Sequence, residues 1–495
     1  MNDERANVSK DGLCLTYFLT LLKRHERVFW WSALLMSFVF LVILRLYDFT
    51  GGYQLGDASL YTYWAMGGTG NLLGGNTWII ANGDIPWLQI YVVRGIFSVL
   101  GISEFSSRLY VGVCGCLLLV MVYLLGRRIS NRYGGLLSML IVGLSPQTIH
   151  FSRVNGLDVP LALWLTLATY YALDAPESAR RSGLCGVFCG LAFFTKYTGL
   201  LSLVLVGYPI LTGRWRNALI GFLTFGLVTS PLWYQLATLK WHPFIYHASQ
   251  ASFDTWSIAN FAFSGLLRDI GFFLPVGIAA FLAVVLTRRL SRRVFVPSLL
   301  FIILFSFFLT IRRWAPWYVV DFLPSFAVVT AYSLTRISEF SHKILRICIV
   351  GGLIGVLVVN SFAATNFVAA FTANNSWKIV GGVAQGFAQT SGCPIVFTSQ
   401  DWEALWYFRD YNWHTLLWAL QIRPNQFILI TTHVYLPQIK AEISASGLMF
   451  HERLLWQSPI FVEIWHPPSY LDQLDIWMFT IDAGLGVYPP LTRMC

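Results

Sequence analysis

SSRLYVGVCGCLLLVMVYLLGRRISNRYGGLLSMLIVGLSPQTIHFSRVNGLDVPLALWLTLATYYAL, residues 106–173, is the stretch whose reading decides the fold. It holds three apolar runs, at about 106–126, 133–150 and 157–173, each long enough to cross a bilayer when tilted or locally thinned. The two connections differ. GRRISNR carries Arg127, Arg128 and Arg132, whereas FSRVNGLD carries Arg153 with Asp158. A strongly basic connection followed by a mixed one is the charge alternation of a chain that threads a membrane.

Outward from this stretch the rhythm continues. Further apolar runs lie at about 28–46, 183–196, 199–212, 217–236, 267–287, 295–311, 317–335 and 344–364, which makes about eleven spans, with ten to thirteen as the range. Basic clusters fall in every second connection. Lys23, Arg24 and Arg27 precede the first span; Arg180 and Arg181, Arg214 and Arg216, Arg288, Arg289, Arg292 and Arg293, then Arg336, Lys343 and Arg346 mark the same side later. By the positive-inside rule that side is the cytoplasm. Charged residues are only 12% of the chain and mean hydropathy is +0.60, so a soluble globule with a polar skin is excluded. The net charge of +10 reflects this topology and contact with anionic lipid headgroups rather than nucleic acid.

The expected fold class is mainly α: a polytopic integral membrane helical bundle with a small C-terminal α/β domain. Residues 1–27 are expected as a cytoplasmic N-terminal segment, 28–364 as the transmembrane domain with an outer loop at 47–105, and 365–495 as the extracytoplasmic domain. The first apolar run is long and has no small-residue cleavage site behind it, so it reads as a signal anchor. The outer loop is too long and too rich in Gly and Asn for a simple turn, and loops of that length are usually functional. Its segments 58–66 and 86–100 have helical spacing suited to interfacial helices, with Trp64, Trp78 and Trp87 at headgroup depth. In the tail, CPIVFTS, NQFILITT and SPIFVEIW read as strands and QDWEALWYFRD and LPQIKAEISASG as helices. The eight cysteines show neither a disulfide framework nor zinc spacing, and Cys185 with Cys189 reads as packing.

Ionisable residues at membrane-facing helix ends need a partner or a role. Counting crossings brings Asp57, Asp84, Arg153, Asp158, Lys196, Arg312 and Arg313 to the outer face. Carboxylates facing cations suit transfer from an anionic membrane-bound donor: an acid group orients or deprotonates the nucleophile, and cations hold a phosphate leaving group. A solute transporter would place such charges nearer the bilayer midplane, among broken helices. Simpler roles exist for each residue. Asp57 suits the cap of a helix starting near Ser59. Asp158 suits the cap of span four, paired with Arg153, and Lys196 suits a snorkelling helix end. Arg312 and Arg313 run against positive-inside as mere flanking charges.

Several segments resemble one family. They are the loop acid in GDASLY, residues 106–173, GLAFFTKYTGLLSL, TGRW, SPLWY and RRWAPWYVVDFLPSFAVV, in that order. Together they resemble the membrane glycosyltransferases related to protein O-mannosyltransferases and to the aminoarabinose transferases of lipid A, over about residues 50–340. The resemblance implies a C-type glycosyltransferase fold in a bacterial or archaeal-type plasma membrane. It also implies a polyprenyl-phosphate sugar donor and inversion at the anomeric carbon. Asp57 and Asp158 become the expected catalytic carboxylates, with Asp158 supporting the site or helping to hold a divalent cation. Asp84, Arg153, Lys196, Arg312 and Arg313 become substrate-binding residues. The family commonly has an Asp-Glu pair in the first loop, whereas here Ala58 follows Asp57. The acceptor is open among protein, glycan and lipid. A catalytically silent scaffold subunit of a larger membrane complex and a lipid-linked sugar transporter are the alternatives.

Overall fold

The computed structural model describes residues 26–51, 56–66, 86–238, 270–271, 273–287, 291–309, 318–340, 343–373 and 376–397. It also describes 440–441, 444 and the strands at 413–415, 426–432, 450–463 and 471–481. Fifteen α-helices are described: α1 Glu26–Leu46, α2 Gly56–Ala65, α3 Leu88–Leu100, α4 Glu104–Ile129, α5 Arg132–Gly143, α6 Pro146–Phe151, α7 Asp158–Ala172, α8 Ala179–Thr195, α9 Leu203–Leu211, α10 Trp215–Thr238, α11 Phe273–Leu286, α12 Arg292–Leu309, α13 Tyr318–Phe340, α14 Lys343–Ala373 and α15 Ser376–Ser391. Among the described residues, α1, α4, α12, α13 and α14 are long and apolar enough to cross a membrane.

The described part of each expected apolar run lies on helix, with two departures. The run at 133–150 breaks between α5 and α6, because Pro146 has no N–H to give to Val142 and its ring would crowd that carbonyl. Thr148 Oγ1 turns back to the Val142 carbonyl and also donates to Ser145 O at 3.0 Å, so the break leaves Val142 satisfied. The run at 199–212 starts instead as a 3-10 turn, Tyr197–Ser202, ahead of α9.

Helix ends gather in two sets. At one, Ser130 Oγ meets Thr335 Oγ1 at 2.6 Å and Arg128 pairs with Asp174 while donating to Tyr170 O at 2.9 Å. Arg132 pairs with Glu26, and Asn217 Nδ2 donates to Ala175 O and Pro176 O at 3.1 and 2.9 Å. These bonds join the ends of α4, α7 and α13 to the starts of α1, α5 and α10. The basic connections therefore share one end of the bundle, as the alternation in the sequence requires. Helix α13 is the innermost of the long helices, whereas α1 and α14 keep most of their apolar surface outward, as helices solvated by lipid do. Helices α8 and α10 touch by backbone: a Cβ on Gly186 would fall 2.1 Å from the Gly221 carbonyl.

In the outer loop, the expected segments appear as α2 and α3. Trp64 is buried against protein rather than placed in the headgroup layer; Trp87 is half-buried and packs edge-on to Tyr91. Trp78 lies outside the described residues.

The tail holds a five-stranded mixed sheet of β1 Ile395–Phe397, β2 Trp413–Thr415, β3 Gln426–Thr432, β4 Phe450–Glu463 and β5 Leu471–Ile481, in the order β2-β1-β3-β5-β4. β1 is parallel to β2 and β3, and the β3–β5–β4 ladder is antiparallel. Helix α15 packs on β3, β4 and β5. The three expected strands are present; β2 and β5 add to them. QDWEALWYFRD lies outside the described residues, as does most of LPQIKAEISASG. Cys393 is disulfide-bonded, which corrects the expectation of unpaired cysteines, while Cys185 and Cys189 are free and buried within α8.

Candidate active site

The end of the bundle opposite the basic connections collects Asp158, Lys196 and Asp321. Asp158 opens α7, and Asp321 lies in the first turn of α13, so both carboxylates are at helix N-termini, where negative charge is favoured. Lys196 ends α8 in an extended conformation, φ −153° and ψ 140°, that turns the chain into Tyr197–Ser202. The turn tucks so tightly against α8 that a Cβ on Gly199 would fall 2.3 Å from the Ala192 carbonyl carbon. Glycine is therefore required in TKYTG.

The Lys196 ammonium pairs with Asp158 and with Asp321, the latter at 3.1 Å. The Lys196 side chain is 16% exposed and that of Asp321 is fully enclosed. Two of the three ammonium donors are thus committed to carboxylates, and the Tyr318 ring lies 5.0 Å from the nitrogen, stacked in turn on Phe308 at 4.7 Å. Asp321 Oδ1 has no hydrogen-bond partner among the described residues. Two acids share one base in a place that water barely reaches.

A second set of charges holds the chain where it leaves α1. Arg45, Arg108 and Arg153 are all fully buried. Arg45 donates to Leu41 O and Gly143 O, each at 3.1 Å. Arg108 donates to Phe49 O at 3.0 Å and Gly51 O at 2.8 Å, and pairs with Glu104 at 2.6 Å. Arg153 donates to Leu44 O and Arg45 O at 3.3 Å and to Asp48 O at 2.6 Å. Asp48 has a positive φ of 43°, and its carboxylate overlies Gly51 so closely that a Cβ there would be 2.0 Å from Oδ2.

The expected site residues divide accordingly. Asp158 neither caps α7, whose preceding residue Leu157 makes no side-chain cap, nor pairs with Arg153; its partner is Lys196. Lys196 is enclosed by acids rather than snorkelling. Arg153 hydrogen-bonds main-chain carbonyls at the α1 exit and is fully buried. Asp57 lies in the first turn of α2 rather than ahead of the helix. Asp84, Arg312 and Arg313 are outside the described residues. Asp321 was missed, although it is the only acid in the apolar run 317–335 and stands inside RRWAPWYVVDFLPSFAVV. Arg45 and Arg108 carried the same signal, since a charge inside an apolar span rarely lacks a role.

Residues 84–241 match the family described as dolichyl-phosphate-mannose-protein mannosyltransferase. The fold is similar to that of ArnT from Cupriavidus metallidurans bound to undecaprenyl phosphate, with a TM-score of 0.59 and 16% identity over 91% of this chain and 98% of ArnT. The chain is thus similar to the mannosyltransferase family over residues 84–241 and to ArnT in fold. The ArnT-type fold is also that of the archaeal oligosaccharyltransferase AglB from Archaeoglobus fulgidus, solved with an inhibitory peptide and a dolichol-phosphate. There the TM-score is 0.52 and identity 11%, over 79% of this chain and 64% of AglB. A protein of Aquifex aeolicus (strain VF5) is 24% identical over 312 residues, 58% of this chain and 62% of the relative. The chain thus spans less than two thirds of that relative's length.

Breaking a buried ion cluster by removing one partner costs about 3–5 kcal/mol, because the remaining charges are left uncompensated. Lys196→Met should therefore lower thermal stability in detergent strongly, and adding Asp158→Asn with Asp321→Asn should recover most of the loss. A Lys196→Met protein that melts like the native one would contradict the arrangement.

Proposed function

We propose that the chain transfers a sugar from a polyprenyl-phosphate-linked donor to an acceptor on the extracytoplasmic side of the membrane, with inversion at the anomeric carbon. The observation that carries this reading is the gathering of Asp158, Lys196 and Asp321 at the end of an ArnT-type bundle opposite its basic connections. By positive-inside that end is extracytoplasmic. A disulfide at Cys393 suits the same side for the tail sheet, since disulfides persist in oxidising compartments. An impermeant thiol reagent should therefore reach a cysteine placed at Gly75 in intact cells; labelling only after permeabilisation would reverse the sidedness.

In the proposed step Asp57 accepts the proton of the acceptor hydroxyl, and the oxygen attacks the anomeric carbon. The bond from that carbon to the phosphate oxygen breaks, and the polyprenyl phosphate leaves with the electron pair. Phosphate is a good leaving group, so positioning and charge stabilisation supply most of the acceleration. We assign the phosphate to Arg312 and Arg313, which stand six and five residues ahead of Tyr318 in the sequence, with Asp84 on the acceptor side. Lys196 organises the site: a phosphate approaching its ammonium would meet two carboxylates first. Arg153 serves by fixing the segment from which the outer loop departs. Asp158 is committed to Lys196, and a divalent cation would be held with help from Asp158 and the loop acids.

The test is the purified protein with a panel of polyprenyl-phosphate sugars. Transfer supports the enzyme, and donor binding without transfer supports the silent scaffold or a carrier. Asp57→Asn keeps shape and hydrogen bonding but removes basicity, so turnover should fall about 10²-fold or more with thermal stability unchanged. Native turnover in Asp57→Asn would remove Asp57 from the chemistry.

A further inference from the structure

Three buried polar side chains outside the ion cluster form a directed relay. Gln89 Nε2, in the first turn of α3, donates to Asn155 Oδ1 at 2.6 Å. Asn155 Nδ2, in the turn between α6 and α7, donates to Thr62 Oγ1 of α2 at 3.0 Å. Thr62 Oγ1 donates in turn to the Ala58 carbonyl at 2.7 Å. All three side chains are fully buried. The relay ends on the residue next to Asp57 and passes through a residue three positions before Asp158.

Buried amides and hydroxyls are held in place by the hydrogen bonds they make, and Asn155 and Thr62 make theirs across the relay, whereas Gln89 Oε1 has no partner among the described residues. Here the partners come from three separate segments, so the relay fixes α2 against α3 and against the turn that leads into α7. Apolar packing supports the same contact, since Ala58 belongs to the buried cluster that includes Val111, Phe151 and Val154. Apolar contacts alone would let a ten-residue helix slide or rotate, whereas a hydrogen-bonded relay sets its rotation.

We propose that Asn155 and Thr62 are positioning residues that set the placement of Asp57 relative to Asp158 through this relay. The inference rests on the proposed role of Asp57 and adds a mechanism for how the loop carboxylate is aligned. Thr62→Val keeps the shape of the side chain but removes the hydroxyl that both accepts from Asn155 and donates to Ala58. Thr62→Ser keeps the hydroxyl.

The experiment compares both variants in the full-length protein. A displacement of about 1 Å costs on the order of 10²-fold in rate, so Thr62→Val should lose kcat on that scale with the donor KM unchanged, and Thr62→Ser should restore kcat. Native kcat in Thr62→Val overturns the proposal, as does equal loss of activity and melting temperature in both variants. A second readout needs no turnover: Asp57→Cys is labelled with a water-soluble methanethiosulfonate in the Thr62 and Thr62→Val backgrounds. A changed labelling rate supports the relay, and an unchanged rate overturns it. If the native chain transfers sugar from no donor, the proposed reaction fails, and the labelling comparison still decides the positioning role.

Discussion

The ammonium of Lys196, held between Asp158 and Asp321, is the interaction on which the site depends. It joins the start of α7, the end of α8 and the start of α13. Removing one member of such a buried pair leaves its partner uncompensated, so the three helix ends are tied to one another through Lys196. The tight turn at Gly199 and the ring of Tyr318 both serve to keep the ammonium there.

Around that centre, the chain uses hydrogen bonds to main-chain carbonyls where lipid offers none. Arg45, Arg108 and Arg153 place their guanidinium groups on the last turn of α1, the segment 48–51 and the α5 carbonyl of Gly143. The outer loop therefore leaves the membrane from a fixed point. The Gln89–Asn155–Thr62 relay then fixes α2 a few residues later. Rigid anchoring on both sides of residues 52–55 is what a carboxylate at position 57 needs if it is to act by alignment.

The helical bundle was legible because apolar length and basic alternation are one-dimensional signals. The break at Pro146 was legible in principle, since proline is printed in the sequence, but the long apolar run masked it. Asp57, Asp158 and Lys196 were visible as ions at helix ends, yet their partners were not. The sequence offers Arg153, five residues away, as a partner for Asp158, whereas the partner in the fold is Lys196 at the far end of the α7–α8 pair. Asp321 was overlooked because it is a single acid in an apolar run, counted as part of a span rather than as a buried ion. In the tail, β1, β3 and part of β4 were legible as apolar runs. β5, LDQLDIWMFTI, was not: Asp472, Gln473 and Asp475 crowd its first half and leave only the short apolar run at 476–479.

On the proposed function, this end of the bundle recognises a phosphate carried on a polyprenyl chain. Binding of polyprenyl phosphate and of the matching neutral polyprenol to the purified native protein, in the same detergent, tests it most directly. Much tighter binding of the phosphate is expected, with the preference abolished when Arg312 and Arg313 are both replaced by alanine in a protein that still melts normally. Equal affinity for phosphate and alcohol in the native protein would contradict it.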